Sequence, residues 1–207
     1  LALVLYGTQL SDDERTSPTA EQREYAHTLL DFLTPIIKTW PSEYGPKANS
    51  LAIQVMGGHG YINEHPVEMF YRDNRLNPIH EGTEGIHGLD LLGRKVLSNN
   101  GQSYQLLISL IDKTLADAAA MPEIAHLVPP IREAIDRTQR VTESLLFTIK
   151  EDPDLGLANA TIYLDMFGQV VISWIWLKQA VIAAGQLSLN HPEQSDSEVN
   201  FYQGKLY

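Results

Sequence analysis

Gln54-Val55-Met56-Gly57-Gly58-His59-Gly60-Tyr61, followed by Arg72-Asp73 and then by Ile79-His80-Glu81-Gly82-Thr83, is the stretch on which the reading of this chain turns. Leu51 to Met56 reads as the end of a helix, and Gly57-Gly58 stops it. These glycines close a helix instead of following a strand and opening a helix, so they are not the dinucleotide fingerprint of a βαβ unit. Gly57, Gly58 and Gly60 leave backbone N–H groups bare, which suits close approach to a phosphate or a ring edge, or a plain chain reversal. Glu81 stands between a turn containing Pro78 and the start of another helix. A carboxylate there is a candidate base, or an acidic residue favoured by the helix dipole.

Working outward, the pattern stays helical. Leu1 to Leu10 forms a first segment, and Ser11 to Glu14 with Ser17 to Thr19 forms a polar loop. Thr19 and Gln22 have the spacing of a capping box, and Ala26, Leu29, Leu30, Leu33, Ile36 and Ile37 follow at helix spacing. Pro35 is expected to kink this helix and Pro41 to Pro46 to break it, so Lys47 to Met56 reads as a third helix and Thr83 to Leu97 as a fourth. Asn99-Asn100-Gly101 marks a turn and a domain boundary. Beyond it the expected helices are Tyr104 to Ala119, Pro129 to Lys150 and about Leu157 to Leu189, with a last one beginning near Glu193. Ile131, Ile135, Thr138, Thr142, Leu145 and Ile149 share one stripe, and Leu164, Phe167, Val171, Trp174, Val181 and Gly185 face inward. Trp174 and Trp176 read as core aromatics, with a pocket lining as the alternative. No stretch alternates with period two, so the fold class is all-α: a helical bundle over residues 1–98 and a helical extension over 99–207.

Composition narrows the function classes. The net charge of -11 is shared between the halves, with 8 Lys/Arg against 13 Asp/Glu up to residue 98 and 7 against 13 after it. Neither half offers the basic surface that phosphate-backbone binding needs, so nucleic acid is not an expected partner. The absence of cysteine removes thiol nucleophiles, disulfides and thiolate metal sites together. His59, His80 and His87 lack metal-site spacing, so no metal is expected. The longest apolar run, Val170 to Leu177, is interrupted by Ser173 and falls short of the ~20 residues of a membrane span. The chain opens on Leu1 without a basic leader and ends without a cap, and reads as a piece cut at both ends. Nothing argues for secretion, and a cytoplasmic location is the expectation.

The ordered string carries more than its parts. Gln54, Gly57, Gly58, Gly60 and Tyr61, then Glu64, Pro66-Val67-Glu68, Phe70-Tyr71-Arg72-Asp73, Arg75, Pro78-Ile79, Glu81-Gly82-Thr83 and Leu89-Asp90 with Gly93-Arg94-Lys95, resembles the C-terminal domain of the acyl-CoA dehydrogenases. The resemblance is strongest over residues 48–96. The second half, ending in Phe201-Tyr202-Gln203-Gly204-Lys205-Leu206, resembles the helical extension of the subgroup that includes 3-methylmercaptopropionyl-CoA dehydrogenase, and Gly85 fits that subgroup too. Met69, His80 and Glu84 depart from the common pattern.

That resemblance implies a reaction. Members oxidise an acyl-CoA thioester between its α and β carbons to the 2-enoyl-CoA, with flavin adenine dinucleotide (FAD) as hydride acceptor, and Glu81 occupies the position of the base. Burial in an apolar acyl pocket is expected to disfavour the charged carboxylate and raise its basicity. Thr83 matches a residue that contacts the flavin, and Gln54, Gly57 and Gly58 match residues that reach the cofactor of a neighbouring subunit. His80 and Gly82 are expected along the substrate. A homodimer or homotetramer and electron-transfer flavoprotein are the implied partners, whereas Arg72 and Asp73 are expected to form a structural ion pair. An acyl-CoA oxidase and a non-catalytic helical interaction module remain the alternative functions.

Overall fold

Thr19 starts the scaffold. In this computed structural model, which describes residues 1–188 and 195–206, its hydroxyl accepts a hydrogen bond from the Gln22 N–H at 3.2 Å while Gln22 Oε1 accepts from the Thr19 N–H at 3.3 Å. This reciprocal cap opens α2, Ala20–Met56, the longest helix. Before it lies α1, Ala2–Thr16. After it come the short α3 (Gly58–Tyr61), α4 (Val67–Asn74) and α5 (Asn77–His80), then α6 (Glu84–Gly93). A 3-10 segment, Lys95–Gly101, leads into α7 (Gln102–Ala119), α8 (Val128–Glu151), α9 (Pro153–Leu157), α10 (Ala160–Ser188) and α11 (Asp196–Gln203). Among the described residues there is no strand.

Four expectations about element boundaries change. The supposed loop Ser11 to Glu14 belongs to α1, because Leu3, Gly7 and Leu10 bury one stripe against α2, with Asp12 exposed and Asp13 and Glu14 half-buried beside it. Glu14 then meets His27 of α2 at 2.8 Å. Nor do the prolines break α2: Pro35, Pro41 and Pro46 all lie inside it. An interior proline costs roughly 3 kcal/mol. The same helix fully buries Leu29, Phe32, Leu33 and Ile36, each contributing about 1.5–3 kcal/mol, a total comparable with the cost of the three prolines, so the packed face offsets the local penalty. The helix expected from Thr83 to Leu97 ends at Gly93; beyond it Lys95 is buried and its ammonium donates to Asp31 of α2. Finally, the helix expected from about Leu157 starts at Ala160, and the turn expected before it holds a short helix of its own. Asp152 Oδ1 caps α9 by accepting from the Leu155 N–H at 3.1 Å, and α10 begins anew at Ala160.

Helix α10 is the hub. Its Leu164, Phe167, Val171 and Trp174 are buried, as expected from the stripe, and so is Tyr163; Val181 is only half-buried, Gly185, expected to face inward, has open space where a Cβ would stand, and Trp176 is exposed. The Phe167 ring lies 5.8 Å from Phe32 of α2, 6.1 Å from Tyr104 of α7 and 5.8 Å from Tyr163. The Trp174 indole N–H donates to Thr114 Oγ1 at 2.9 Å, and Tyr6 of α1 meets the same indole edge-on at 5.5 Å. By length and composition α10 is apolar enough to cross a membrane, which the interrupted run Val170 to Leu177 did not suggest. Its apolar side packs on α2, α6 and α7 instead, as the central helix of a bundle does.

At residues 99–101 the chain reverses through left-handed backbone, with φ 51° at Asn99, 56° at Asn100 and 80° at Gly101. Asparagine and glycine tolerate that region, which explains the signal in the sequence. One buried cluster nevertheless runs from Leu3 to Ala184 across this point. The helix expected near Glu193 starts outside the described residues; what is described begins with Ser195, which caps α11 in a second reciprocal box with Glu198.

Because Phe167 packs on rings of α2 and α7 as well as of its own helix, Phe167→Ala is expected to lower stability by about 3–5 kcal/mol. Urea unfolding followed by fluorescence should show one transition shared by Trp40 and Trp174. Two separated transitions would show that the halves fold independently.

Candidate active site

Glu81 is fixed by its backbone before its side chain acts. The turn closes α5 with the N–H groups of Glu81 and Gly82 both donating to Asn77 O, at 3.0 and 2.9 Å. Gly82 then presses onto α2: a Cβ there would overlap the Ser42 side chain and lie 3.2 Å from Lys38 O. Only glycine permits this approach. Ser42 is itself turned back, its hydroxyl donating to Lys38 O at 2.6 Å. On the other side His87 Nε2 lies 2.8 Å from the Glu81 carbonyl oxygen, tying the loop to α6.

The Glu81 carboxylate accepts from Lys38 Nζ at 2.5 Å through Oε2, and its Oε1 lies 3.5 Å from His80 Nδ1. The hydrogen bond from Lys38 and the charge of Lys38 hold this carboxyl below the usual glutamate range against the opposing effect of desolvation, with a smaller contribution from His80. This is opposite to the shift expected of a carboxylate in an apolar acyl pocket. The reason is geometric, since the side chain is 54% exposed and no apolar wall covers it within this chain. It is an ionised carboxylate facing outward beside a lysine.

Thr83 is the N-cap residue of α6 but makes no side-chain cap; its hydroxyl donates to Ile79 O at 3.3 Å. The first-turn N–H groups of α6 therefore have no side-chain partner from Thr83. Gln54, Gly57 and Gly58 lie elsewhere, at the far end of α2. Sixteen residues separate Lys38 from Gln54, roughly 24 Å of helix at 1.5 Å per residue, so the two sets do not meet within one copy. Gly57 has φ 60° and ψ -138°, a conformation open to glycine alone, and a Cβ added at Gly58 would meet nothing within 4 Å. Around the Gly57 turn Val55 is 87% and Tyr61 84% exposed, and Phe70, Leu76 and Ile79 farther along the chain are also exposed.

Two details revise the sequence reading. Arg72 pairs with Glu68 one turn earlier at 3.5 Å, in place of its neighbour Asp73, because residues four apart share a helix face and adjacent ones do not. Lys38, Ser42 and His87 were missed as parts of the site. Lys38 is 43 residues upstream of Glu81 and carries no local signal; His87 lies at a readable spacing only once the loop is known.

The chain matches two family models, "Acyl-CoA dehydrogenase, C-terminal domain" over residues 18–97 and "Acetyl-CoA dehydrogenase C-terminal like" over residues 107–207. The chain belongs to the acyl-CoA dehydrogenase family. It is 32% identical over 190 residues to 3-methylmercaptopropionyl-CoA dehydrogenase of Ruegeria pomeroyi, covering 90% of this chain and 31% of that protein. Butyryl-CoA dehydrogenase of Syntrophomonas wolfei is 27% identical over 197 residues, covering 94% of this chain and 32% of that protein. The human mitochondrial short-chain specific acyl-CoA dehydrogenase shares 42% over 57 residues, 28% of this chain and 14% of that protein. The chain thus spans about a third of the length of the longer matches, as a C-terminal region of the family.

Removing the cation beside Glu81 tests its electrostatics. Lys38→Met is expected to raise the Glu81 pKa toward the ordinary glutamate value, read from the carboxyl carbon shift in an NMR titration. An unchanged titration would show that Lys38 does not set it.

Proposed function

We propose that this chain supplies the base-bearing wall of a flavin-dependent acyl-CoA dehydrogenase, with Glu81 taking the α-proton of an acyl-CoA thioester to give a 2-enoyl-CoA. The observation that carries the reading is the outward-facing Glu81 carboxylate, anchored through Gly82 on α2 and bordered by the exposed Ile79 and Ile86. A carboxylate on a rigid loop keeps its position while a flexible acyl chain is brought to it. The apolar border would receive that chain, with His80 and Gly82 lining the thioester end. Covering this wall removes water from the Lys38–Glu81 pair, and the basicity of Glu81 would rise if Lys38 were drawn away as the pocket closes.

The residues present fit FAD. Thr83 leaves the start of α6 uncapped by its side chain, and the bare Gly57-Gly58 turn admits close approach of a phosphate or ring edge. When bound, FAD supplies the hydride acceptor for the β-carbon. Thr83 would hold the flavin beside Glu81, and Gln54, Gly57 and Gly58 would reach the cofactor of a neighbouring copy, since they stand far from Glu81 in their own. The exposed apolar residues around the Gly57 turn are the surface a homodimer or homotetramer would cover. Electron-transfer flavoprotein is the proposed acceptor of the electrons, as the family resemblance implies.

In the full-length protein, Glu81→Gln is expected to retain flavin and lose turnover by ~10²–10⁴-fold, since the amide keeps the shape without the basicity. Flavin bleaching by acyl-CoA at an unchanged rate would end the assignment of the base. Gly58→Val is expected to lower flavin occupancy, read from the absorbance ratio of purified protein, while circular dichroism stays helical; full occupancy would make the turn purely structural.

A further inference from the structure

A groove opens between the start of α8, the middle of α10 and the chain just after α11, and none of the residues lining it belongs to the helices that carry the Glu81 site. Its volume is about 440 Å³, within the ~300–1,000 Å³ of small-molecule sites. Leu127, Ile131 and Leu206, each packed against the buried core, form its walls. The buried Leu177 and Ala180 form its floor. Walls that rest on a packed core keep their shape, so the groove stands open before anything enters it.

Trp176 and Lys205 give the groove its chemistry. Trp176 is 67% exposed and lines it, two residues from Trp174, whose indole is buried and bonded to Thr114. An indole left in water beside an apolar groove extends one apolar surface that a ligand can cover. The other polar groups are already engaged. Ser173 donates its hydroxyl to Gln169 O at 2.9 Å, Gln179 donates to Ile175 O at 3.4 Å, and the backbone N–H groups of Gly204, Lys205 and Leu206 donate to Asn200, Tyr202 and Gln203. The Lys205 ammonium is the one charge in the lining. It stands 5.3 Å from the centre of the Phe201 ring and pairs with no carboxylate among the described residues. In a chain with 26 acidic residues against 15 basic ones, no Asp or Glu lines this groove.

Charge and polarity define the occupant. A cationic ligand meets Lys205 and finds no carboxylate, and a polar one leaves the leucine and isoleucine walls uncovered. A nucleotide brings several phosphate charges to a single cation. A carboxylate on an apolar tail matches both features, because the tail covers the walls while the head accepts from a rim ammonium and an indole N–H. We propose that this groove binds a medium-chain fatty acid, its tail lying on Leu127, Ile131, Leu177 and Leu206 and its carboxylate at Lys205 and the Trp176 indole N–H. The site is independent of the flavin chemistry proposed for Glu81.

Decanoate is the probe, titrated into the 207-residue chain by calorimetry while the Trp176 indole N–H signal is followed by NMR. Decan-1-ol carries the same tail without the charge, decylammonium reverses the charge, and acetate lacks the tail. Saturable binding that shifts the Trp176 signal is expected, tightening about fourfold for each methylene added from hexanoate to decanoate, the factor to which about 0.8 kcal/mol corresponds. Decanol should bind about threefold to tenfold more weakly and decylammonium more weakly still, and acetate should leave the signal in place. Lys205→Met should bring decanoate down to the level of decanol without changing decanol itself, and Trp176→Ala should weaken both; the two residues are exposed, and circular dichroism checks that the variants stay folded. The proposal is overturned if decanoate gives no saturable shift at Trp176, which leaves the groove to water, or if decanol or decylammonium matches it. Unchanged decanoate affinity in Lys205→Met overturns it equally. A Trp176 signal that moves with protein concentration alone would give the groove to a second copy of the chain, and saturation by decanoyl-CoA at a lower concentration than decanoate would give it to the thioester; either result overturns the free acid as occupant.

Discussion

The contact between α10 and α2, centred on the Phe167 and Phe32 rings 5.8 Å apart, is the constraint on which the other positions depend. It fixes the axis of α2, and α2 carries Lys38, Ser42 and the Gly57 turn. Once Ser42 is placed, Gly82 can approach it and no larger residue can. Glu81, the residue just before Gly82, is placed with it. A packing decision made in the apolar core therefore determines where a surface carboxylate stands, with no contact between the two.

The electrostatics of Glu81 belong to an open wall. Beside Lys38 and in water, the carboxylate is held in its charged form. The same pair behaves differently once covered, because desolvation raises the cost of each charge and strengthens the attraction between them. A general base needs the first effect without the second. In the role proposed for Glu81, the distance between Lys38 and Glu81 under a covering wall would set the strength of the base, with His80 also beside the carboxylate.

Polar and apolar features exchange roles between the two sides of α2. Toward Glu81 it offers a cation, Lys38; toward α10 and Glu84 it offers an unpaired hydroxyl and two stacked rings. The loop from Glu81 to Glu84 passes between these environments within four residues. The two acids differ accordingly, one held down by a neighbouring lysine and the other pushed up by burial beside other carboxylates.

The sequence by itself determined the all-helical class, the capping box at Thr19, the chain reversal at Asn99 to Gly101, the inward face of α10 and the string around Glu81 that marks the family. Each of these is a local signal, carried by periodicity, by caps or by residues that tolerate unusual backbone. The tertiary structure decided what local rules leave open. It carried α2 through Pro35, Pro41 and Pro46, because the buried face offsets the broken helical bonds. It drew an acidic stretch into α1 and set Glu14 against His27 of α2, and it set Lys38 against Glu81 across 43 residues. Burial and charge at a residue depend on what packs beside it, and that neighbour is fixed by the fold and not by adjacency in the chain.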